Sequence, residues 1–561
     1  MAVAQPDELA APLDLLLTSA SRPFLGRMMP NDTWTRFAAN LAKHPGKLAN
    51  RGGDLAKELG SIAIGKSDRA PARADKRFTD PAWEQNPVLH RTMQAYLAAS
   101  DTVEQLLADA RLDWRDSEKM RFVIDNVLEG LSPSNNPFLS PLGWKALIDT
   151  GGLSAVRGAR AFARDMLSQP RVPAMVDPDA FAVGESLATT KGAVVLQTRV
   201  FELIHYAPQT DKVHEVPLLM VPPVINKFYI MDLAPGRSMI EYFLQQGQQV
   251  YAISWRNPQA RHREWGFDTY GAAIVEALDA VCKIAGTDRA HIMASCSGGI
   301  LAAMVAAHLT EIGQGDRIAG LTLAVTVLDQ NRAGFASAAM SERAAQAAIR
   351  ASAKKGYLDG RAMAEVFAWL RPTDLVWRYW VNNYVQGRPP AAFDVLFWNA
   401  DTTRMAAALH RDMVMMGVHN SLTTPGAVSM LGTPVDLSKV ACDAYVIGGI
   451  ADHISPWQAT YRSARLLGSK DNTYVLSTSG HIAALVNPPG NPKASFRTGP
   501  VGPERAEDWM ASAEKVSGTW WPHYAAWLAE RSGDDVDAPQ NLGAESFPPL
   551  GPAPGTYVLQ K

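Results

Sequence analysis

Two periodicities divide the chain. Between about residues 83 and 130 apolar positions recur at helical spacing. Met120, Val123, Ile124, Val127 and Leu128 fall at i, i+3, i+4, i+7 and i+8, one apolar stripe with charged residues opposite. Gly130 and Pro133 end that run, and the Pro, Ser and Asn content of LSPSNNPFLSPLGW (131–144) predicts a loop. Helical spacing resumes in GGLSAVRGARAFARDML (151–167). Residues 1–190 are therefore expected to form a mainly helical N-terminal domain.

After residue 190 the pattern changes to short β-rich runs separated by helical stretches: VVLQT (194–198), FELIHY (201–206), VPLLMV (216–221), QVYAIS (249–254), AHIMA (290–294), LTLAVTVL (321–328), AYVIGG (444–449) and TYVLS (473–477). Such alternation predicts an α/β domain over 191–561 with a mostly parallel sheet, opened by an antiparallel pair across a tight turn. The unbroken apolar run 321–328 fits a central strand covered on both faces. From Leu328 to Cys442 the strand signal disappears and aromatic-rich helical sequence replaces it, so a cap inserted at about 330–435 over the active site is expected. Its aromatic set, Trp369, Trp377, Tyr379, Trp380, Tyr384, Phe397 and Trp398, reads first as core packing, with a part left to line an acyl path or a dimer contact.

Composition narrows the chemistry. With 47% hydrophobic residues in 561 the chain builds a large core, and Lys+Arg 54 against Asp+Glu 56 leaves a net charge of −2, without the positive field that nucleic-acid binding requires. The 3 cysteines, Cys282, Cys296 and Cys442, form no CxxC pair, which points to a reducing compartment and against structural zinc. The opening MAVAQPDELAAPLDLLL has neither a basic n-region nor a cleavage motif, and no run approaches the roughly 20 apolar residues of a membrane-spanning helix. A cytoplasmic protein with no transmembrane segment is expected. No GxGxxG follows a strand, and no GxxxxGK[ST], HExxH or metal-spaced cluster occurs, so neither a cofactor nor a metal is expected.

The sharpest local motif is HIMASCSGGI (291–300), an apolar strand, then small residues around a thiol, then a strong helix former. Small neighbours permit a strained strand-to-helix turn that lifts a nucleophile above the sheet and aims the next N–H at an oxyanion. Cys296 occupies that place, although Ser297 fits a shifted register. Cys282, in a helical run, and Cys442, at a strand edge, read as packing residues. A thiol needs an imidazole to take its proton, and the imidazole needs a carboxylate to orient it. Asp452 follows the strand 444–449 and His481 the strand 473–477, giving the order nucleophile, acid, base of the α/β-hydrolase fold. His453 is the competing base and Asp329 the competing acid. The loop VPPVINKFYIMDL (221–233) is placed to supply a second oxyanion donor, Val224 or Ile225.

Several segments, in order, resemble the polyhydroxyalkanoate synthases, and among them the class II, medium-chain type: PPVINKFYIMDL (222–233), SWRNP (254–258), SCSGG (295–299), RPTDLVWRYWVNNY (371–384), FWNADTTRM (397–405), ADHISPW (451–457), SGHIAALVNPP (479–489) and the closing APGTYV (553–558). The resemblance covers nearly the whole chain and implies an α/β-hydrolase domain with a cap insertion. It assigns the nucleophile to Cys296 against Ser297, the aspartate to Asp452 and the histidine to His481. In one place the chain departs from it, with Ala294 where the family's box opens on glycine.

The implied reaction is polymerisation of (R)-3-hydroxyacyl-CoA with release of coenzyme A, a substrate and not a cofactor. The Ser297 N–H would hold the oxyanion, and Asp452, directly or through His481, would activate the incoming hydroxyl. The resemblance further implies a homodimer, no second catalytic subunit, and association with polyester granules, the helical N-terminal region making the contact. A thioesterase, lipase or depolymerase on the same fold, using Cys296 or Ser297, and a non-catalytic granule-surface protein are the alternatives.

Overall fold

The computed structural model describes residues 32–561 apart from 74, 113, 168, 331–337, 371 and 453. The described chain divides into two units, one comprising Pro178–Gly360 and Phe393–Lys561, the other the described residues of Arg22–Asp177 together with Arg361–Ala392.

The first unit is built on an 11-stranded sheet. Its strands, in chain order, are β1 Gly192–Gln197, β2 Phe201–Tyr206, β3 Leu218–Val221, β4 Val250–Trp255, β5 Ala290–Ser295, β6 Ile318–Ala324, β7 Asp443–Gly449, β8 Asn472–Ser477, β9 Ser495–Pro500, β10 Glu514–Ser517 and β11 Gly551–Pro552. In space they run β10-β9-β8-β7-β6-β5-β3-β4-β2-β1-β11. The stretch from β8 to β4 is parallel, while β2 lies antiparallel on β4 and β1 on β2. This is the α/β-hydrolase fold, as expected from the sequence.

The order carries a consequence for function. From β3 the chain moves outward to β4, then crosses back to β5 and proceeds the other way through β6, β7 and β8. The crevice beyond the carboxyl ends of β3 and β5 is thus a topological switch point, the place where open α/β sheets gather their reactive groups. Strands β2 to β5 are buried along their whole length, in keeping with their largely apolar sequence, and carry a few polar residues such as Glu202, His205 and His291 into the interior. The helix Cys296–Glu311 that follows β5 is buried from Ser297 to Leu309, so its sequence is apolar on every side instead of striped.

Two details differ from the sequence pattern. The strand expected over 321–328 stops at Ala324, because Val325 turns into the left-handed region at φ +45° and gives its N–H to the Ile447 carbonyl. The antiparallel strand β9 and the edge strand β10 beside it carry polar sequence, SFRTGP and EKVS, with no apolar run to announce them.

The second unit is helical. Its helices include Pro87–Asp109, Trp114–Leu131, Pro141–Asp149 and Leu153–Leu167. The first of these begins where Asn86 accepts the N–H groups of Val88 and Leu89 and Pro87 fixes the opening φ. Arg111, at φ +45°, breaks the long helical pattern after it. Glycine notches let Leu153–Leu167 approach the segment Trp380–Val385: a Cβ on Gly158 would stand 2.0 Å from the Tyr384 carbonyl oxygen. Around that contact Phe162, Trp377, Trp380 and Tyr384 stack edge-on, with centroids 5.2–5.8 Å apart. Those members of the aromatic set pack against one another within this unit while remaining partly exposed. The same unit leaves Leu131, Phe138, Ile148, Leu153 and Leu167 more than half exposed. No helix among the described residues is long and apolar enough to cross a membrane.

Buried histidines tie the stability of the sheet to pH. His205, on β2, is stacked 4.3 Å from Tyr251 and accepts the Gly543 N–H at Nδ1, so it is held neutral, and burial pushes its pKa down to about 4. Above the unfolded value near 6.5 both states are neutral. Below it the unfolded chain takes a proton that the folded ring refuses, so stability falls as pH drops from 6.5 towards 4, by on the order of 2 kcal/mol at pH 5. Urea unfolding of the wild type and His205→Gln at pH 7 and pH 5 is expected to show a smaller acid loss in the variant; equal losses would remove His205 as the cause.

Candidate active site

Cys296 stands where β5 becomes helix. Ser295 is extended, Cys296 adopts φ +49°, and the helix starts at once. A non-glycine residue in the left-handed region is strained, and that strain persists only where surrounding packing imposes it. Here the packing is the double glycine that follows. A Cβ on Gly298 would fall 2.4 Å from the Pro222 carbonyl oxygen, and one on Gly299 would fall 2.0 Å from Thr326 Oγ1. The first turn of the helix is thereby pressed between the loop after β3 and the loop after β6. The thiol remains partly exposed above the sheet. Burial raises the pKa of the other two thiols, that of Cys442 to about 12, so neither holds a thiolate at neutral pH.

Asp452 and His481 reach the same end of the sheet from the loops after β7 and β8. His481 Nδ1 donates to Asp452 Oδ2 at 2.7 Å, while Asp452 Oδ1 accepts the N–H groups of Ile454 and Ser455, both at 2.8 Å. Both residues are buried, and Ser455 Oγ fastens the Asp452 loop to the Val325 carbonyl. With Nδ1 committed to the carboxylate, Nε2 is left for the hydrogen bond to Cys296. Burial opposes a charged ring, but the Asp452 carboxylate and the Cys296 sulfur outweigh it and raise the His481 pKa to about 10. The arrangement can therefore take the thiol proton and hold it as an imidazolium beside a thiolate.

Asp329 faces Arg462 at 3.1 Å and accepts from Asn420 at 2.9 Å. His453 lies outside the described residues. Ser297 is fully buried, and its Oγ accepts the Val224 N–H at 3.1 Å instead of facing the cleft. Val224 and Ile225 are both buried in the loop after β3, which is stitched down by Trp255 Nε1 on the Pro222 carbonyl and by Thr403 Oγ1 on the Val224 carbonyl.

Two features of the site escaped sequence reasoning. One is the pair of N–H groups holding Asp452, which the string Asp-x-x-Ser could have signalled as an Asx turn. The other is the bond between Ser297 and Val224, which has no local signal because its partners are 73 residues apart. Of the aromatic set, Trp398 is tied by Nε1 to the Lys227 carbonyl at 2.7 Å, and Phe397 packs on Phe181.

Comparison with known proteins gives a consistent result. Residues 74–243 match the family model for the poly-beta-hydroxybutyrate polymerase (PhaC) N-terminus, and residues 230–488 match that for the alpha/beta hydrolase fold. The chain is 44% identical over 504 residues to poly(3-hydroxyalkanoate) polymerase 1 of Ectopseudomonas oleovorans, covering 90% of each chain. It is 44% identical over 520 residues to polymerase 2 of the same organism, with 92% of each chain covered. The PhaC subunit of the poly(3-hydroxyalkanoate) polymerase of Cupriavidus necator is 36% identical over 508 residues, covering 89% of this chain and 86% of that one.

The environments of the three thiols predict their reactivity. Iodoacetamide is expected to modify Cys296 well before Cys282 and Cys442, and Asp452→Asn is expected to slow modification at Cys296 by roughly tenfold as the imidazolium loses its counter-charge. Peptide mapping after timed alkylation checks this; three thiols reacting together, or an unchanged rate in the variant, would contradict it.

Proposed function

Since the chain belongs to the poly(3-hydroxyalkanoate) polymerase family, and so polymerises hydroxyalkanoates as an acyltransferase, we propose that its substrate is (R)-3-hydroxyacyl-CoA of medium chain length and that the growing chain is carried on Cys296. The observation that carries this reading is the strained turn at Cys296 within hydrogen-bond reach of a histidine already bonded to Asp452. The medium-chain preference rests on the resemblance to the class II type.

His481 takes the thiol proton and Cys296 sulfur attacks the thioester carbonyl. The oxyanion is held by the Ser297 N–H, one of the unpaired donors of the first helical turn, with Val224 contributing once its N–H leaves Ser297 Oγ. Collapse of the tetrahedral intermediate expels coenzyme A, whose sulfur receives the proton from His481, and leaves an acyl-cysteine. The 3-hydroxyl of another acyl group then attacks that thioester, giving up its proton, and an ester bond forms as the thiol is freed. His481 is the base favoured for this second step, since Asp452 already has Oδ2 on His481 and Oδ1 on two N–H groups. A thioester intermediate lies close in energy to the acyl-CoA that supplies it and stays reactive towards an alcohol, which suits a cysteine to repeated transfer.

The polyester is apolar, and a cytoplasmic enzyme that remains with its product works at a granule surface. Phe138 and Ile148, exposed by 79% and 74% on the helical unit, suit that contact. A homodimer completes the reading.

With (R)-3-hydroxydecanoyl-CoA and its 3-hydroxybutyryl counterpart, coenzyme A release and product sizing are expected to show polymer chiefly from the longer substrate and none from Cys296→Ala. Free acid as the product, or activity surviving without the thiol, would overturn the proposal in favour of a hydrolase. Replacing Phe138 and Ile148 together by serine is expected to shift the protein from sedimenting polymer to the supernatant while leaving initial coenzyme A release within about twofold.

A further inference from the structure

Lys227 lies in the loop after β3, three residues beyond Val224, and is only 2% exposed. Its ammonium bonds two backbone carbonyls, Val558 at 2.8 Å and Gln560 at 2.6 Å, and burial pushes its pKa down to about 8 in spite of attraction from Asp401. Burying a cation whose hydrogen bonds go only to neutral carbonyls is costly, so the position is demanding. The segment that it holds is anchored independently. Glu202 Oε2 accepts the N–H groups of Thr556 and Tyr557, both at 2.9 Å, Arg256 lies over the Tyr557 ring at 4.9 Å, and Tyr557 Oη donates to the Thr198 carbonyl. On its other side the loop meets the site itself, through Val224 N–H on Ser297 Oγ and the Pro222 carbonyl against Gly298. The Lys227 carbonyl also receives Trp398 Nε1.

We infer that residues 556–560 act as a strap which, through the Lys227 ammonium, sets the position of the oxyanion loop against the nucleophile's helix, making Lys227 a positioning residue for acyl transfer. The inference rests on the reading that this loop completes the oxyanion site. Both ends of the strap are fixed to β1–β4 structure: Glu202 on β2 at one end, Lys227 beyond β3 at the other. Releasing either end lets the Val224 backbone drift from a position that matters only when negative charge develops on the carbonyl oxygen, so the cost falls on kcat and not on substrate binding.

The test is steady-state coenzyme A release from (R)-3-hydroxydecanoyl-CoA by the full-length wild type, Lys227→Met, Glu202→Gln and the double variant, with Cys296→Ala alongside. Lys227→Met keeps an unbranched apolar side chain one atom shorter and removes its donors, and Glu202→Gln loosens the strap from the far end without touching Lys227. Each single variant is expected to lower kcat roughly tenfold with KM within about twofold, and the double variant to be no worse than the poorer single one, since both release the same strap. Lys227→Arg, which can still donate to both carbonyls, is expected to recover most of the rate. Unchanged kcat in both single variants, multiplicative losses in the double variant, or a loss in Lys227→Met that Lys227→Arg does not relieve would each overturn the strap. Activity surviving in Cys296→Ala would instead defeat the acyl-cysteine reading on which the strap rests, so the two failures are told apart.

Discussion

The structure turns on how closely one helix start approaches two backbone segments. Gly298 lies against the Pro222 carbonyl and Gly299 against Thr326, with no room for a side chain at either place. That approach brings the loop after β3 and the loop after β6 around the first turn of the helix and holds Cys296 in a conformation that an L-residue rarely adopts. The thiol is lifted clear of the sheet for the same reason that the glycines are needed.

Around that contact the sheet order does the gathering. Strand β5 lies between β3 and β6, so the reversal of chain direction sets the loop after β3 on one side of Cys296 and the Val325–Thr326 turn on the other. The next strands outward, β7 and β8, deliver Asp452 and His481 to the same end. The electrostatics then follow from burial: desolvation opposes charge on the buried His481 ring, and the attraction of Asp452, whose Oδ1 accepts two backbone N–H groups, outweighs it. His205 and His291, equally buried but without a carboxylate, move the other way, to about 4 and about 3. The contrast separates a histidine on which neighbouring groups favour charge from histidines that burial keeps neutral.

The two units handle their aromatic residues differently. In the helical unit Trp377, Trp380 and Tyr384 form a half-buried cluster against Phe162, and the notch at Gly158 sets how near the helices come. In the sheet unit Trp398 and Trp255 work as hydrogen-bond donors, each to a carbonyl of the loop after β3. A tryptophan can fill a core and still pin a backbone segment, because its one polar atom sits at the rim of a large apolar ring.

Much of this was legible in the sequence. Continuous apolar runs marked the central strands, since burial on both faces removes any need for polar alternation, and a thiol among small residues between a strand and a helix marked the turn at Cys296. The order Cys296, Asp452, His481 after β5, β7 and β8 was visible because chain order and strand order coincide in that half of the sheet. The antiparallel strands β9 and β10 were not, because their polar sequence carries no apolar run to announce them. Only the tertiary structure decided that Val224 bonds to Ser297 across 73 residues, that Asp329 is turned to Arg462, and that Lys227 closes on carbonyls more than 300 residues further along. A sequence determines which residues are able to bond and which faces must be buried; which distant partners meet is decided by the packing of strands and loops, where separation along the chain carries no information about distance in space.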